Sequence, residues 1–375
     1  FALAYPALMA ELIIGRHARS NGVSALQSIS VGPKSRLFAT AVGVLGMVTV
    51  SFILSFYAIV SGWMLAFLLA PITQLVGWDS ATVWLTTDGV LRNSLFVVLF
   101  AFLTILIISA GVKDGIEKWA TRLMPSLVLI LVLLIGYVLT LPGAMDGLRA
   151  YLVPDFSALT QPGLLVSAMG QAFFSLSLGV GTMLVYGSYI NKGENLPVIG
   201  SLVALLDVGI AVLAGLLILP AMYVALASGV EIFDSNGGLI AGPGLIISVL
   251  PALFSNMGAI GGAVAFAFFA LMTIASLTSS ISMLEVPVSF VVERSETKRP
   301  VAAAILGSAI ALISLVIVAN FGALFDRVVT LTTEVSQPLL GLFFCIFAGW
   351  IWNRATILEE IKQGSPQAAT GLFWR

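Results

Sequence analysis

Long apolar stretches occupy most of this 375-residue chain, and they restrict the folds open to it. A helix needs roughly 20 mostly apolar residues to cross a bilayer. Residues of this kind make up 59% of the chain and charged residues only 9%, against about 25% charged in a soluble domain. The sequence therefore predicts an all-α, polytopic membrane helix bundle. The nine predicted spans are 1–15, 38–72, 93–111, 119–141, 162–190, 198–228, 257–292, 301–319 and 328–353.

The basic residues are distributed unequally between the predicted loops. Of the 17 Lys and Arg residues, only Arg92, Arg149 and Arg327 fall on the side opposite the loop that follows the first span. Cytoplasmic loops attract Lys and Arg in this way. The pattern predicts that the first loop is cytoplasmic and that the protein is a multi-pass component of the cytoplasmic membrane.

Composition also excludes several classes of function. The net charge of −1 argues against nucleic-acid binding. One cysteine, Cys345, allows no disulfide framework, and the single histidine, His17, lies in a basic loop. The sequence contains no Cys/His cluster for zinc and no plausible pair of catalytic acids. We therefore predict that the chain is not an enzyme and has no organic cofactor.

A weak point interrupts the predicted span 162–190. Gly179 and Gly181 each weaken a helix by about 1 kcal/mol relative to Ala, and Ser175 and Ser177 precede them. Serine hydroxyls can satisfy backbone groups that a break would free in mid-membrane. This pattern indicates a discontinuous helix, although close packing of small residues between helices is the simpler alternative.

Four acidic residues lie within the predicted spans, where a charge is costly. Glu11 and Glu334 fall near span ends, and Glu285 lies in the span that holds the hydroxyl pair described next. Asp207 lies inside the sixth span. Its side chain could make an interhelical hydrogen bond, bind a cation or carry a proton, and the sequence alone leaves these readings open.

Two adjacent hydroxyls, Thr278 and Ser279, lie in another predicted span. A hard monovalent cation takes about five or six oxygen ligands, and a carbonyl with two hydroxyls could supply half of them. Hydroxyls that bond to the preceding turn of their own helix are the common alternative. Because three polar patches occur in three separate spans, they suggest one shared internal site of the kind that transporters use.

The sequence blocks around these patches carry a resemblance to a known family. They are AE at 10–11, GRH at 15–17, SFYAIVSGW at 55–63, YLVPDF at 151–156, QAFFSLSLG at 171–179, YGSY at 186–189 and LTSSIS at 277–282. In this order they resemble the neurotransmitter:sodium symporters of the bacterial branch. That family is a well-known example of inverted repeats and discontinuous helices. The resemblance implies the same architecture here.

The resemblance implies a substrate site for a neutral, apolar amino acid. The Tyr57 hydroxyl would meet the substrate carboxylate, and Phe174 would form an aromatic lid. No lining residue would carry a charge for an ionic substrate side chain. The implied substrate-binding residues are Ile53, Tyr57, Phe174, Ser177, Val180, Ser279 and Met283.

The resemblance also implies two sodium sites. Ala275, Thr278 and Ser279 would supply half of one, through a carbonyl and two hydroxyls. Ser175 and Asp207 would be ligands of the other. Asp207 falls where many members of the family carry Asn, and its negative charge makes a chloride requirement less expected.

Two gates complete what the resemblance implies. At the inner end, Glu293 would pair with an arginine from an N-terminal segment, and Tyr189 would support that closed gate. At the outer end, the acid of the family falls at Val329, with Asp326 as the nearest carboxylate in the sequence. This departure indicates either a shift in the alignment or a different outer closure.

These observations predict a single transmembrane transporter domain over 1–375 that carries an amino acid with sodium by alternating access. The start at Phe1 and the aromatic-basic tail 372–375 favour a chain without the family's first helix and its C-terminal helix or helices. Two alternatives stay open. One is a proton-coupled or uncoupled transporter of the same fold, and the other is a non-transporting receptor or assembly partner on a degenerate scaffold. The oligomeric state is not indicated.

Overall fold

The computed structural model describes residues 3–111, 118–154, 156, 162–233, 237–240, 242–245 and 249–365. Residues 1 and 2 of the first predicted span, Asp155 and the predicted tail 372–375 lie outside this part of the chain. The described residues form helices, with one isolated bridge between Phe233 and Leu239 and no strand. The helices are α1 Ala4–Ala18, α2 Gly22–Ser28, α3 Pro33–Leu75, α4 Asp79–Thr86, α5 Val90–Ser109, α6 Lys118–Val138, α7 Ala144–Leu152, α8 Pro162–Ser175, α9 Thr182–Tyr189, α10 Leu196–Ala227, α11 Gly242–Gly244, α12 Leu250–Asn256, α13 Gly261–Ser295, α14 Arg299–Ala319, α15 Phe321–Val329, α16 Gln337–Ile346 and α17 Arg354–Lys362.

Six of the predicted spans correspond to helical segments that are long and apolar enough to cross a membrane. Five are the single helices α3, α5, α10, α13 and α14. The sixth, Phe321–Ile351, contains α15 and α16, which the π-helical turn Thr330–Ser336 joins, and ends in a second π-helical turn, Phe347–Ile351. The all-α membrane architecture predicted from the sequence is thus confirmed.

The other three predicted spans are shorter or divided. The first corresponds to α1, which has 15 residues. The fourth corresponds to α6, whose apolar part is Met124–Val138. The fifth is split into α8 and α9, as expected for a discontinuous helix.

The predicted boundaries differ from the helix ends by a few residues, and the largest difference is at the start of the last span. The last span was expected to begin at residue 328, but its helix begins at Phe321. Asp326 and Arg327 make this stretch resemble a loop, and both side chains are exposed. Phe325 on the same turn is buried against Phe56 and Trp63, so packing of the apolar face keeps the stretch helical.

The centre of the bundle is the long contact between α3 and α13. A second major contact joins α1 to α9. There the backbones approach so closely that a Cβ atom on Gly187 would lie 2.6 Å from the carbonyl oxygen of Leu12. Small residues permit such close approach between membrane helices. This contact fixes α9, the second half of the broken helix, against α1.

A buried ion pair fastens α17 to the end of α1. The Arg16 Nε atom donates to Glu360 Oε1 at 2.8 Å, and neither side chain is more than 2% exposed. Arg16 also donates to the backbone carbonyl of Glu194 at 2.9 Å, in the connection between α9 and α10. His17 lies 3.4 Å from Glu360 Oε2 and contacts the Trp352 ring. These bonds account for the histidine without a catalytic role.

Candidate functional site

A cavity of about 360 Å³ lies where the broken helix meets α3, α10 and α13. Its lining is mostly apolar, and Asp207 is the one acidic residue among the described lining residues. The lining residues are Val50, Ile53, Tyr57, Met124, Leu127, Gln171, Phe174, Ser175, Ser177, Val180, Asp207, Ile210, Ala275, Thr278, Ser279, Met283 and Gln337.

The helix break consists of residues 176–181, between α8 and α9. Ser177, Gly179 and Gly181 have φ angles of 52°, 78° and 80°, in the left-handed region. The chain turns back tightly, because Leu178 N donates to Phe173 O at 2.9 Å. A non-glycine residue persists in this region only where its surroundings fix it, so Ser177 marks a strained position. The break leaves the carbonyl end of α8 and the amide end of α9 near the cavity.

One peptide group of the break is held by side chains at both ends. The Gly179 N–H donates to Glu11 Oε1 at 2.7 Å. On the other side of the same peptide group, Leu178 O accepts a hydrogen bond of 3.1 Å from Gln337 Nε2. Glu11 and Gln337 are 0% and 1% exposed, so both bonds lie away from water. Polar groups from α1 and α16 therefore satisfy the backbone that the break exposes.

Asp207 and Ser175, the predicted ligands of one sodium site, are in contact. The Ser175 hydroxyl donates to Asp207 Oδ1 at 2.6 Å. This bond leaves Oδ2 of Asp207 and the lone pairs of the serine hydroxyl as oxygen ligands. The pair combines one negative charge with neutral oxygens, which is a suitable donor set for a hard cation.

The predicted second set of sodium ligands lies on one turn of α13. The Thr278 hydroxyl donates to Ala275 O at 2.9 Å, and Ser279 is adjacent. Each donating hydroxyl still has lone pairs to offer, and a carbonyl oxygen has a second lone pair. The helix-internal hydrogen bond that the sequence allowed as an alternative is thus present, and it is compatible with cation binding. Tyr57 on α3 lines the same cavity as Ser279.

All the residues predicted for the substrate and for sodium line this one cavity. They come from four helices and the break, and they are Ile53, Tyr57, Phe174, Ser175, Ser177, Val180, Asp207, Ala275, Thr278, Ser279 and Met283. Their individual roles stay predictions.

Six lining residues were not found from the sequence. Val50 lies one turn before Ile53, Gln171 one turn before Phe174, and Ile210 one turn after Asp207, so helical spacing could have identified these three. Met124, Leu127 and Gln337 come from α6 and α16. Nothing near them in the sequence marks those two helices as neighbours of the site.

The two residues predicted for the inner gate, Glu293 and Tyr189, do not share a partner in the structure. Glu293 Oε2 accepts hydrogen bonds from the backbone and side-chain nitrogens of Asn21, at 2.8 and 2.7 Å. The Tyr189 hydroxyl donates to Glu285 Oε1 at 2.6 Å, and Arg299 is ion-paired with the same carboxylate. Glu285 thus joins α9 to the start of α14. A carboxylate at the centre of this network was not anticipated from the sequence.

A second cavity, of about 510 Å³, shares Gln171 and Phe174 with the first. Phe174 therefore lies between the two cavities, where an aromatic lid was predicted. Val329 lines this cavity, as does Glu334. Asp326, which the sequence indicated as the nearest carboxylate, is not part of the lining. The π-helical turn Thr330–Ser336 brings Glu334 to this face instead.

Across the described residues, no group of three or more His, Cys, Asp or Glu side chains could hold a metal ion. The oxygens around the central cavity are mainly hydroxyls, carbonyls and a single carboxylate. This set is suited to a monovalent cation and not to a transition metal, which prefers nitrogen and sulfur ligands.

Comparison with known proteins agrees with this geometry. The sequence profile of the sodium:neurotransmitter symporter family matches residues 83–375. An uncharacterized sodium-dependent transporter of Bacillus subtilis is 32% identical over an alignment of 383 positions, which covers 97% of this chain and 80% of the relative. An uncharacterized sodium-dependent transporter of Methanocaldococcus jannaschii is 27% identical over an alignment of 387 positions, which covers 99% of this chain and 76% of the relative.

A solved structure is also similar. The crystal structure of MhsT in complex with L-phenylalanine matches with a TM-score of 0.83 and 33% sequence identity. The match covers 99% of this chain and 84% of that one. The relatives found by sequence and the similar solved structure thus each match nearly the whole chain.

Proposed function

Because the chain belongs to the sodium:neurotransmitter symporter family, we propose that its central cavity binds a neutral, apolar amino acid with sodium and carries both across the membrane. The family is one of transporters, so the chain is a multi-pass protein of the cell membrane and not an enzyme. The observation that carries the proposal is the single cavity at a helix break, where apolar side chains and cation-binding oxygens meet.

The lining supports an apolar substrate. Ile53, Phe174, Val180 and Met283 face the cavity, and no basic side chain is among the described lining residues. An acidic substrate side chain would therefore lose its hydration without gaining a basic partner. MhsT, which is similar over this whole region, was crystallised with L-phenylalanine, a neutral and apolar amino acid. A substrate of that class fits the residues present here.

Sodium would occupy the two oxygen sets. Ala275, Thr278 and Ser279 would bind one ion from α13, and Ser175 with Asp207 would bind the other. A bound cation supplies positive charge beside the substrate carboxylate in a site that contains no Lys or Arg among its described lining residues. This charge links the two binding events, because each ligand then favours the other.

The assembly of the site from two sets of helices supports alternating access. The broken helix contributes lining residues from α8 and the break, while α3, α6, α10, α13 and α16 contribute the rest. A movement of one set of helices against the other would open the site to one side and then to the other. Phe174 would close the site toward the second cavity, and the Tyr189–Glu285 network would close the end that holds the predicted cytoplasmic loops.

The Tyr57→Phe variant is expected to weaken substrate binding by about 10- to 100-fold. A hydrogen bond to a charged group contributes about 1.5–3 kcal/mol, and each 1.4 kcal/mol is a factor of ten. Equilibrium binding of labelled amino acid at saturating sodium measures the change. Tyr137→Phe, on α6 and outside the cavity lining, is the control. Undiminished affinity in Tyr57→Phe would show that the hydroxyl does not meet the carboxylate.

The Asp207→Asn variant separates sodium coupling from proton coupling. The proton alternative has a specific basis, because Asp207 is the one acidic residue among the described lining residues and bonds to Ser175. An amide oxygen can still bind sodium, so we expect uptake to persist with sodium affinity reduced about tenfold or less. The readout is uptake driven by a sodium gradient and, separately, by a proton gradient. Uptake in the unmodified protein that follows only the proton gradient and is abolished in Asp207→Asn would favour the alternative.

Equilibrium binding tests the proposed function before any transport is measured. Purified full-length protein is titrated with labelled L-phenylalanine in sodium and in potassium at equal ionic strength. We expect saturable binding in sodium that is displaced by other apolar amino acids, and at least a tenfold lower affinity in potassium. Equal affinity in both salts would contradict sodium coupling, and no binding of any neutral amino acid would contradict the substrate class.

A further inference from the structure

We infer that Gln337 is a positioning residue of the transport site, which fixes the orientation of the peptide group between Leu178 and Gly179. This inference rests on the proposed function for its consequences in transport. Its structural basis is independent of that function. Gln337 lies on α16, a helix that no sequence pattern placed at the site.

The contacts of the peptide group are specific at both ends. Gln337 Nε2 donates to Leu178 O at 3.1 Å, and Glu11 Oε1 accepts from Gly179 N at 2.7 Å. One peptide plane is therefore bound by side chains of two helices, α1 and α16. Since both side chains are fully buried, water does not compete for either bond. Buried polar networks of this kind specify a single arrangement of the groups they join.

The local backbone explains why this peptide group needs hydrogen-bond partners at both ends. Ser177 and Gly179, on either side of Leu178, both have positive φ angles. Glycine adopts positive and negative φ angles with similar ease, so the peptide plane next to it can turn with little steric cost. Without partners at its two ends, the plane would have more than one accessible orientation. The neighbouring residues Ser177 and Val180 line the cavity, and their placement depends on this plane.

The structure of α16 directs Gln337 to this point. The Gln337 N–H bonds to Thr332 O, five residues earlier, at the end of the π-helical turn Thr330–Ser336. Pro338 follows and has no N–H to donate. A π-helical turn changes the direction of the side chains after it and occurs frequently at functional sites. Close packing adds to the effect, because the backbone of Gln337 lies against Gly179.

The orientation of the Gln337 amide follows from its partner. A carbonyl oxygen accepts, so the NH₂ end must face Leu178 O. The Oε1 atom is then buried and has no hydrogen-bond partner among the described residues, while the side chain lines the cavity. The Nε2 group of Gln337 thus holds the break, while Oε1 is an acceptor without a partner among the described residues. Substitutions can remove the donor and keep an acceptor.

Two substitutions test the donor. In Gln337→Leu the donor is absent at every pH, and we expect sodium-dependent uptake to fall about tenfold or more, from the loss of a buried hydrogen bond and the unpaired carbonyl it leaves. In Gln337→Glu the side chain can donate to Leu178 O only while it is protonated. Uptake relative to the unmodified protein should therefore be highest in acid and fall as the pH rises. If the side chain at position 337 only filled space, uptake by Gln337→Glu would show no such dependence on pH.

Gln74→Glu is the matched control, because it introduces the same carboxyl group at the exposed outer end of α3. It should show the pH profile of the unmodified protein. The inference is overturned if Gln337→Glu also follows that profile, or if Gln337→Leu transports normally.

Hydrogen exchange gives a readout that does not depend on transport. Amides of residues 176–182 are followed by mass spectrometry in detergent-purified protein, for the unmodified chain and for both variants. We expect faster exchange in Gln337→Leu at every pH and, after correction for intrinsic rates, in Gln337→Glu only at high pH. Unchanged exchange would overturn the inference even if the unmodified protein transports nothing. Gln337→Glu in acid, which keeps the bond, serves as the folded reference if Gln337→Leu does not fold.

Discussion

Replacement of Thr278 by valine is expected to raise the sodium concentration for half-maximal substrate binding by about tenfold or more. Valine has nearly the shape of threonine but no oxygen, so the predicted site on α13 loses one ligand while the packing of the helix is retained. Thr278 lines the cavity, and its hydroxyl bonds only to carbonyls of its own helix in the preceding turn, which remain satisfied by the helix. Sodium titration at a fixed concentration of labelled L-phenylalanine measures the shift.

The control for this change is Thr273→Val on the same helix. Thr273 and Thr278 have the same exposure, 9%, but Thr273 does not line the cavity. The control should leave the sodium dependence unchanged. If both variants shift equally, the effect comes from α13 as a whole, and if neither shifts, Thr278 is not a sodium ligand.

The Gly179→Ala variant is expected to abolish sodium-dependent uptake, with a decrease of at least about 100-fold. Gly179 has a φ of 78°, where an L-residue costs roughly 1–2 kcal/mol. A Cβ atom there would also overlap the backbone carbonyl oxygen of Gln337, and a backbone atom cannot move away as a flexible side chain can. The helix break would have to change shape, and the residues that line the cavity would move with it. A 100-fold change corresponds to about 2.8 kcal/mol, at about 1.4 kcal/mol for each factor of ten, and the overlap with the backbone adds to the cost of the left-handed conformation.

Gly136→Ala serves as the control, because no atom lies near a Cβ built on this residue of α6. Uptake is measured in proteoliposomes and normalised to the amount of monodisperse protein after size-exclusion chromatography. Gly136→Ala should behave as the unmodified protein does. Normal uptake by Gly179→Ala would mean that the conformation of the break does not determine the site.

Much of the central cavity could be predicted from the sequence, because its chemistry is local. The pair Gly179 and Gly181 identified the break, and the hydroxyls of Thr278 and Ser279 identified the polar turn of α13. A polar group in an apolar span is conspicuous, since it must have a partner or a function. The match of several sequence blocks to one family then placed these patches around a single site.

The remaining features depend on contacts between distant parts of the chain. Gln337 lies 159 residues from Leu178, and nothing in its own neighbourhood indicates that pairing. The same is true of Tyr189, whose partner is Glu285 on α13. The π-helical turn before Gln337 depends on packing and leaves no pattern in the sequence. Likewise, the exposed charges of Asp326 and Arg327 made the start of the last span resemble a loop. The buried apolar face of that helix, which the sequence alone does not reveal, stabilises it.

Uptake into proteoliposomes tests the central claim most directly. Full-length protein is reconstituted, and accumulation of labelled L-phenylalanine is followed with an inward sodium gradient, with equal sodium on both sides, and with a proton gradient alone. We predict accumulation above the external concentration only with the sodium gradient, collapsing when a sodium ionophore dissipates it. Accumulation that ignores sodium and follows the proton gradient would contradict sodium coupling, and no accumulation of any neutral amino acid under any gradient would contradict transport itself.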